Sequence, residues 1–283
     1  MSALAIYHLP RKLMLYVEDG ETALNVDELV EYVKGKLPYL PIELRNEFVL
    51  HHVGNERTAL QDIAKQVASA RIFRIDANEV VNEPFPAEVD YEYRRLSQCS
   101  KNLLGTFYSA YHLQTIYWKL VRPSERSLSY VHIILTKLLI GTFDDASGRW
   151  HARTIVLGYP NIISLRGLVE APAKPREFYA LKRAITALGG ELPTDAIINA
   201  LRDCSLTGLE DSRMTEVVKG YILQAIAYHV SLKPFCEDAS CRLYNAHWQR
   251  ELLRAQLDGD YELCTYHEQL FTYLAQHTIQ DGA

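Results

Sequence analysis

A chain of 283 residues, 48% hydrophobic and 23% charged, is long enough to bury a substantial core as one large domain or two small ones. Its formal net charge of −5 argues against broad nucleic-acid binding, which leaves a basic footprint. No apolar run reaches the roughly 18 residues of a membrane span. The opening MSALAIYHLPRKL puts its basic residues after its short apolar stretch, so no export signal is expected, and the reducing cytoplasm is the expected compartment.

Residues 12–18 read as a strand closed by the Asp19-Gly20 turn. Asn25 then caps a helix whose Leu29, Val30, Val33 and Leu37 recur at helical spacing, and Pro38 and Pro41 end it. Residues 48–53 are expected as a second strand and 56–68 as a second amphipathic helix. Residues 73–96 read as acidic and irregular, with Pro84 and Pro86 as breakers. Residues 107–120 read as an aromatic-rich helix closed off by Pro123. Strand character resumes at 131–135 and 137–142. It continues through an Asp144-Asp145-Ala146-Ser147-Gly148 turn to strands near 153–158 and 162–166. Ala171-Pro172-Ala173-Lys174-Pro175 reads as a stiff extended linker, around which Glu170, Lys174, Arg176 and Glu177 are candidates to line a groove. Beyond it the pattern is helical: 177–188 ended by Gly189-Gly190, 195–204 capped by Thr194, then 213–232, 246–257 and 263–277.

Three of the five cysteines fall between residues 236 and 264, spaced Cys236-x4-Cys241, then 22 residues, then Cys264-x2-His267. Zinc asks for four thiolate or imidazole ligands at tetrahedral angles, and two close pairs joined by a longer segment supply them. Cys264 and His267 lie three residues apart, so a helical turn points both the same way. Four ligands leave no open position, which is the mark of one structural ion. His247 is a rival fourth ligand, and ordinary buried thiols are the simpler alternative. Cys99 and Cys204 lack a partner pattern.

This Cys-x4-Cys resembles the paired cysteines of archaemetzincins, zinc peptidases of the metzincin clan with the motif HExxHxxGxxHCxxxxCxM and a later Cys pair. Laid on that motif, Ala225 takes the first histidine, Ile226 the glutamate, His229 the second histidine, Leu232 the glycine, Phe235 the third histidine and Leu243 the methionine. The chain is also similar to archaeal and bacterial proteins labelled metallopeptidases, on the runs from Gly158, Val169 and Cys241. The resemblance covers roughly residues 130–270. It implies an α+β, metzincin-like mixed sheet with a zinc-clamped helical C-terminus. The expected layout is a single domain over 1–283, with an N-terminal α/β part at 1–100 and the archaemetzincin-like part at 130–277.

The departures imply a degenerate catalytic motif. One imidazole cannot hold a catalytic zinc, and Ile226 cannot take a proton from a metal-bound water. The expected function is therefore binding or regulation, through a protein or peptide partner, by a zinc-binding relative without the classical peptidase site. Two alternatives stand beside it. One is an active zinc hydrolase using other ligands, such as His229 with His151 or His247; the other is a nucleic-acid-associated zinc protein, for which Phe107, Tyr108, Tyr111, Tyr117 and Trp118 are the stacking candidates. His51-His52, read on a strand, would point to opposite faces, and His151 beside Asp144 and Asp145 reads as a polar loop cluster.

Overall fold

The computed structural model describes residues 6–78, 83–98, 106–187 and 204–277. Its first half runs β1 (Lys12–Val17), α1 (Val26–Lys36), β2 (Ile42–Arg45), α2 (Phe48–Val53), α3 (Arg57–Ser69), α4 (Pro86–Gln98), β3 (Phe107–Ser109) and α5 (Ala110–Leu120). Then follow β4 (Tyr130–Thr136), β5 (Leu139–Asp144), β6 (Arg149–Arg153), β7 (Ile155–Val156), β8 (Asn161–Ser164) and α6 (Leu165–Glu170). The C-terminal part is α7 (Arg176–Ala187), α8 (Met214–Ser231), α9 (Gln249–Leu257) and α10 (Thr265–His277).

The chain is α+β, built on a five-stranded sheet ordered β2-β1-β4-β8-β7 and a three-stranded sheet ordered β3-β5-β6. In the larger sheet β1 pairs in parallel with both β2 and β4, β4 with β8, and only β7 runs antiparallel. Strands from residues 12–45 and from residues 130–164 thus share one sheet. Both faces of that sheet are covered, which explains the near-continuous apolar run of β1. Period-two alternation sends Leu13, Leu15, Val131, Ile133 and Leu135 to the face covered by α1 and α8. Met14, Tyr16, Ile134 and Ile162 go to the opposite face, under α2, α3 and α5. Among the described residues, no helix is long and apolar enough to cross a membrane.

Several expected elements form for the expected reasons. Asn25 caps α1 by accepting the Glu28 amide at 3.1 Å, and α3 is capped by Glu56 through Thr58 and Ala59. The 144–148 turn joins β5 to β6 as an antiparallel pair. The segment 48–53 is a correction: it is helix α2, and the second strand lies at Ile42–Arg45. The Glu47 carboxylate accepts the Leu50 amide at 2.8 Å, and Gly54 ends the turn at φ +70°. Residues 86–98 form a helix in place of the irregular segment, because Pro86 occupies the first helical position, where its missing N–H costs nothing. Residues 107–109 are a strand ahead of α5. Residues 165–170 turn into α6, capped by Ser164, whose hydroxyl accepts the Gly167 amide at 2.7 Å. The expected Gly189-Gly190 stop, the Thr194-capped helix and Cys99 lie outside the described residues, and Cys204 is half-buried.

Candidate metal centre

Leu232 closes α8 in the left-handed conformation at φ +57°, turning the chain into the loop that carries the first cysteine pair. Backbone bonds hold that loop. Cys236 N–H donates to Leu243 at 2.8 Å, Tyr244 N–H to Cys241 at 2.9 Å, and Cys241 N–H to Asp238 at 3.1 Å. The second pair sits where α10 begins, with the Cys264 carbonyl accepting the Glu268 amide at 2.9 Å and His267 on the first turn. A helix N-terminus favours the thiolate over the thiol.

These two segments bring together Cys236, Cys241, Cys264 and His267, whose ligand atoms all lie within 4.8 Å of one another. The Sγ atoms of Cys236 and Cys264 are 3.7 Å apart. Nδ1 of His267 lies 3.5 Å from Cys241 Sγ and 3.2 Å from Cys264 Sγ. A disulfide requires about 2.0 Å, so the thiols are unbonded. A tetrahedral ion with Zn–S near 2.3 Å and Zn–N near 2.0 Å has S···S edges of about 3.8 Å and S···N edges of about 3.5 Å. The donor set and its spacing therefore fit a zinc-sized ion. Cys241 and His267 are buried, and Cys236 and Cys264 are half-buried. The hydrogen bond from Cys241, helped by His267, pushes the Cys236 thiol down to about 4. The same bond and burial push Cys241 up, and burial pushes Cys264 up. Three thiols so close cannot all ionise unaided, and a divalent cation removes that conflict.

The rival ligand His247 lies elsewhere. It is exposed, its N–H bonds Glu251 at 2.9 Å, and its carbonyl accepts the Ala173 amide at 2.8 Å. Ala225 and Ile226, at the positions of the first histidine and the glutamate, are wholly buried in apolar core beside α1 and β4. His229 is 5% exposed, and its Nε2 meets the Leu128 carbonyl at 2.8 Å. Burial holds its imidazole below the ordinary histidine range, so it rests as a neutral donor. His151 is exposed on β6, 2.9 Å from the Ser147 hydroxyl and 3.8 Å from Asp144, in a solvated turn. Arg176 and Glu177 do line a groove, of about 300 Å³, with Trp248, Arg250 and Glu251. Glu170 instead pairs with Arg166, and Lys174 lies over the Phe178 ring. Of the aromatic stretch, Tyr108 and Tyr117 are core residues, while Tyr111 and Trp118 are exposed.

One polar cluster was not legible in the sequence. The Tyr16 hydroxyl meets Arg45 at 2.7 Å, His132 Nδ1 at 2.9 Å and His52 Nε2 at 3.2 Å, and Arg45 makes a two-pronged pair with Glu125. His132 Nε2 faces the Glu125 carbonyl at 3.2 Å, so it must carry the proton, and Nδ1 accepts from Tyr16. His51 and His52 are on a helix, not a strand, and both pack against the Tyr16 ring. On a strand the two rings would face opposite ways, whereas α2 brings both to Tyr16.

Fold and site together define an α+β protein with a closed cluster of three thiols and one imidazole that can hold a metal ion. A family model described as a probable metallopeptidase family (DUF6775) matches residues 9–274, and the chain belongs to that family. No match is found among curated proteins or solved structures.

Proposed function

We propose that this member of the family holds one structural zinc ion in the Cys236, Cys241, Cys264 and His267 cluster and works by binding a protein or peptide partner, without the classical peptidase site. The observation that carries the reading is the packing of α8. The side chains in place of the archaemetzincin first histidine and glutamate are Ala225 and Ile226, both at 0% exposure, and the surviving imidazole of His229 is committed to a backbone carbonyl. A catalytic zinc keeps an open position for water and a nearby general base. A four-donor cluster of this kind offers neither. The bound ion would cross-link two segments, and its binding energy would count as folding energy. This supports a catalytically degenerate relative of archaemetzincins, and unbonded thiols suit a reducing compartment such as the cytoplasm. The metal and activity of the His229→Ala chain test the reading. The expected result is one zinc in both wild type and variant, with no peptide hydrolysis above background in either. Two zinc ions in the wild type, or hydrolysis that His229→Ala abolishes while the fold survives, would overturn it.

A further inference from the structure

The surface around the C-terminal end of α8 differs in character from the chain as a whole. Exposed apolar side chains meet there from three separate segments: Tyr7 at 60%, Leu128 at 45% and Leu232 at 54% exposure. Hydrogen bonds hold the segments together. Tyr7 N–H donates to the Val230 carbonyl at 2.8 Å, and the Leu128 carbonyl accepts from His229 at 2.8 Å. Leu232 follows two residues beyond Val230. The Tyr159 hydroxyl, which donates to the Ser127 carbonyl at 3.1 Å, carries the surface on to Trp118, whose ring meets that of Tyr159 edge-to-face at 4.9 Å. Trp118 is itself exposed. Exposed apolar side chains scattered singly are ordinary, but a group joined in this way marks an interaction site.

The charge in these segments is one-sided. Lys119, Arg122, Arg126 and Lys233 are all exposed there. The carboxylate among them, Glu125, is committed to its two-pronged pair with the buried Arg45. In a chain of net charge −5 this is a local excess of positive charge, and it calls for an anionic partner. The form of the surface selects among anions. Its apolar side chains stand at bends: ahead of β1, in the loop between α5 and β4, and at the left-handed end of α8. Such side chains enter a soft, planar phase one by one, whereas a peptide is gripped along a groove or a sheet edge. Trp and Tyr ringed by Lys and Arg favour the headgroup layer of a bilayer. We propose that this surface docks the chain peripherally on anionic lipid bilayers. Tyr7, Trp118, Leu128 and Leu232 enter the headgroup layer, and the four cations face the lipid phosphates.

Co-sedimentation of the full chain with vesicles tests this, using phosphatidylcholine alone and its equimolar mixture with phosphatidylglycerol. The chain should bind the mixed vesicles and leave phosphatidylcholine alone, and about 1 M salt should release it. Lys119→Gln, Arg122→Gln and Lys233→Gln should each weaken binding about fivefold, the scale of one cation at an anionic bilayer. Leu128→Ser should weaken it at least as much. Melting temperature and metal content should stay unchanged in all four variants. Tyr39→Ser, at an exposed tyrosine outside these segments, should bind like the wild type. Equal binding to the two kinds of vesicle, a loss shared by Tyr39→Ser, or no binding by the folded wild type would overturn the inference. So would binding of an oligoglutamate peptide, abolished by the same substitutions, in a chain that ignores the vesicles; that result would assign the surface to an acidic protein partner. A chain that holds one zinc but ignores the vesicles defeats this inference alone. A chain that binds the vesicles but holds no zinc defeats the metal reading alone.

Discussion

Leu232 is held at φ +57° with more than half its surface exposed, so it bears a left-handed backbone without the return of deep burial. The left-handed conformation costs a residue with a Cβ about 1 kcal/mol or more relative to glycine. Leu232→Gly should therefore stabilise the chain by about 1 kcal/mol, seen as a raised melting temperature; a lowered one would show that the side chain anchors the loop. His132 makes a different kind of residue-scale prediction. Burial lowers its pKa from 6.5 to about 4, so the folded chain keeps the imidazole neutral while the unfolded chain protonates normally. The stability that follows from this is complete above about pH 6.5 and is lost as pH falls toward about 4. Urea midpoints should fall across that window, and His132→Gln should flatten the fall; an unchanged slope would exclude His132 as a cause. His52, held at about 3 chiefly by burial, contributes in the same direction, so the flattening is partial.

At the scale of elements, α6 sits hard against β6. A Cβ built on Gly167 would lie 2.1 Å from the Arg153 carbonyl oxygen, a backbone atom with no freedom to rotate away. Gly167→Ala must displace α6 and should cost about 2 kcal/mol or more by chemical denaturation; a neutral result would mean that the helix can slide. Nothing in the residues 162–170 announces this helix, because Ile162, Ile163, Leu165, Leu168 and Val169 are apolar whichever period is chosen. The same ambiguity hid α2. Phe48, Val49 and Val53 have strand propensity, but the Glu47 cap and the Gly54 stop close one helical turn over Tyr16 and Tyr117. By contrast α1 and α3 were legible because each is amphipathic and capped, and α8 by its length alone, since it is buried on nearly every face. The cysteine cluster was legible for a third reason: its spacing encodes coordination chemistry, which does not depend on neighbouring propensities. The Tyr16 cluster was not, because its residues come from β1, β2, α2 and β4, far apart in sequence.

At the scale of the molecule, the cysteine loop is tied to the first half of the chain. Glu262, two residues before Cys264, accepts from Tyr32 and Lys36 of α1, each at 2.5 Å. Arg242, next to Cys241, pairs with Glu216 of α8 and lies over the Tyr32 ring. Lys219 of α8 in turn pairs with Glu28 of α1 at 2.7 Å. An ion holding the four donors would therefore fasten α10 and the loop to the layer that covers the main sheet. Removing it with a strong chelator should lower the melting temperature and raise hydrogen exchange first in 236–267 and α1. Exchange spread evenly over the chain would argue that the cluster is not a local clamp. The most direct measurement is the zinc K-edge absorption spectrum of the purified chain. A structural ion at the cluster gives about one zinc per chain, with three sulfur neighbours near 2.3 Å and one nitrogen near 2.0 Å. Absence of stoichiometric zinc, or a shell of nitrogen and oxygen alone, would contradict it.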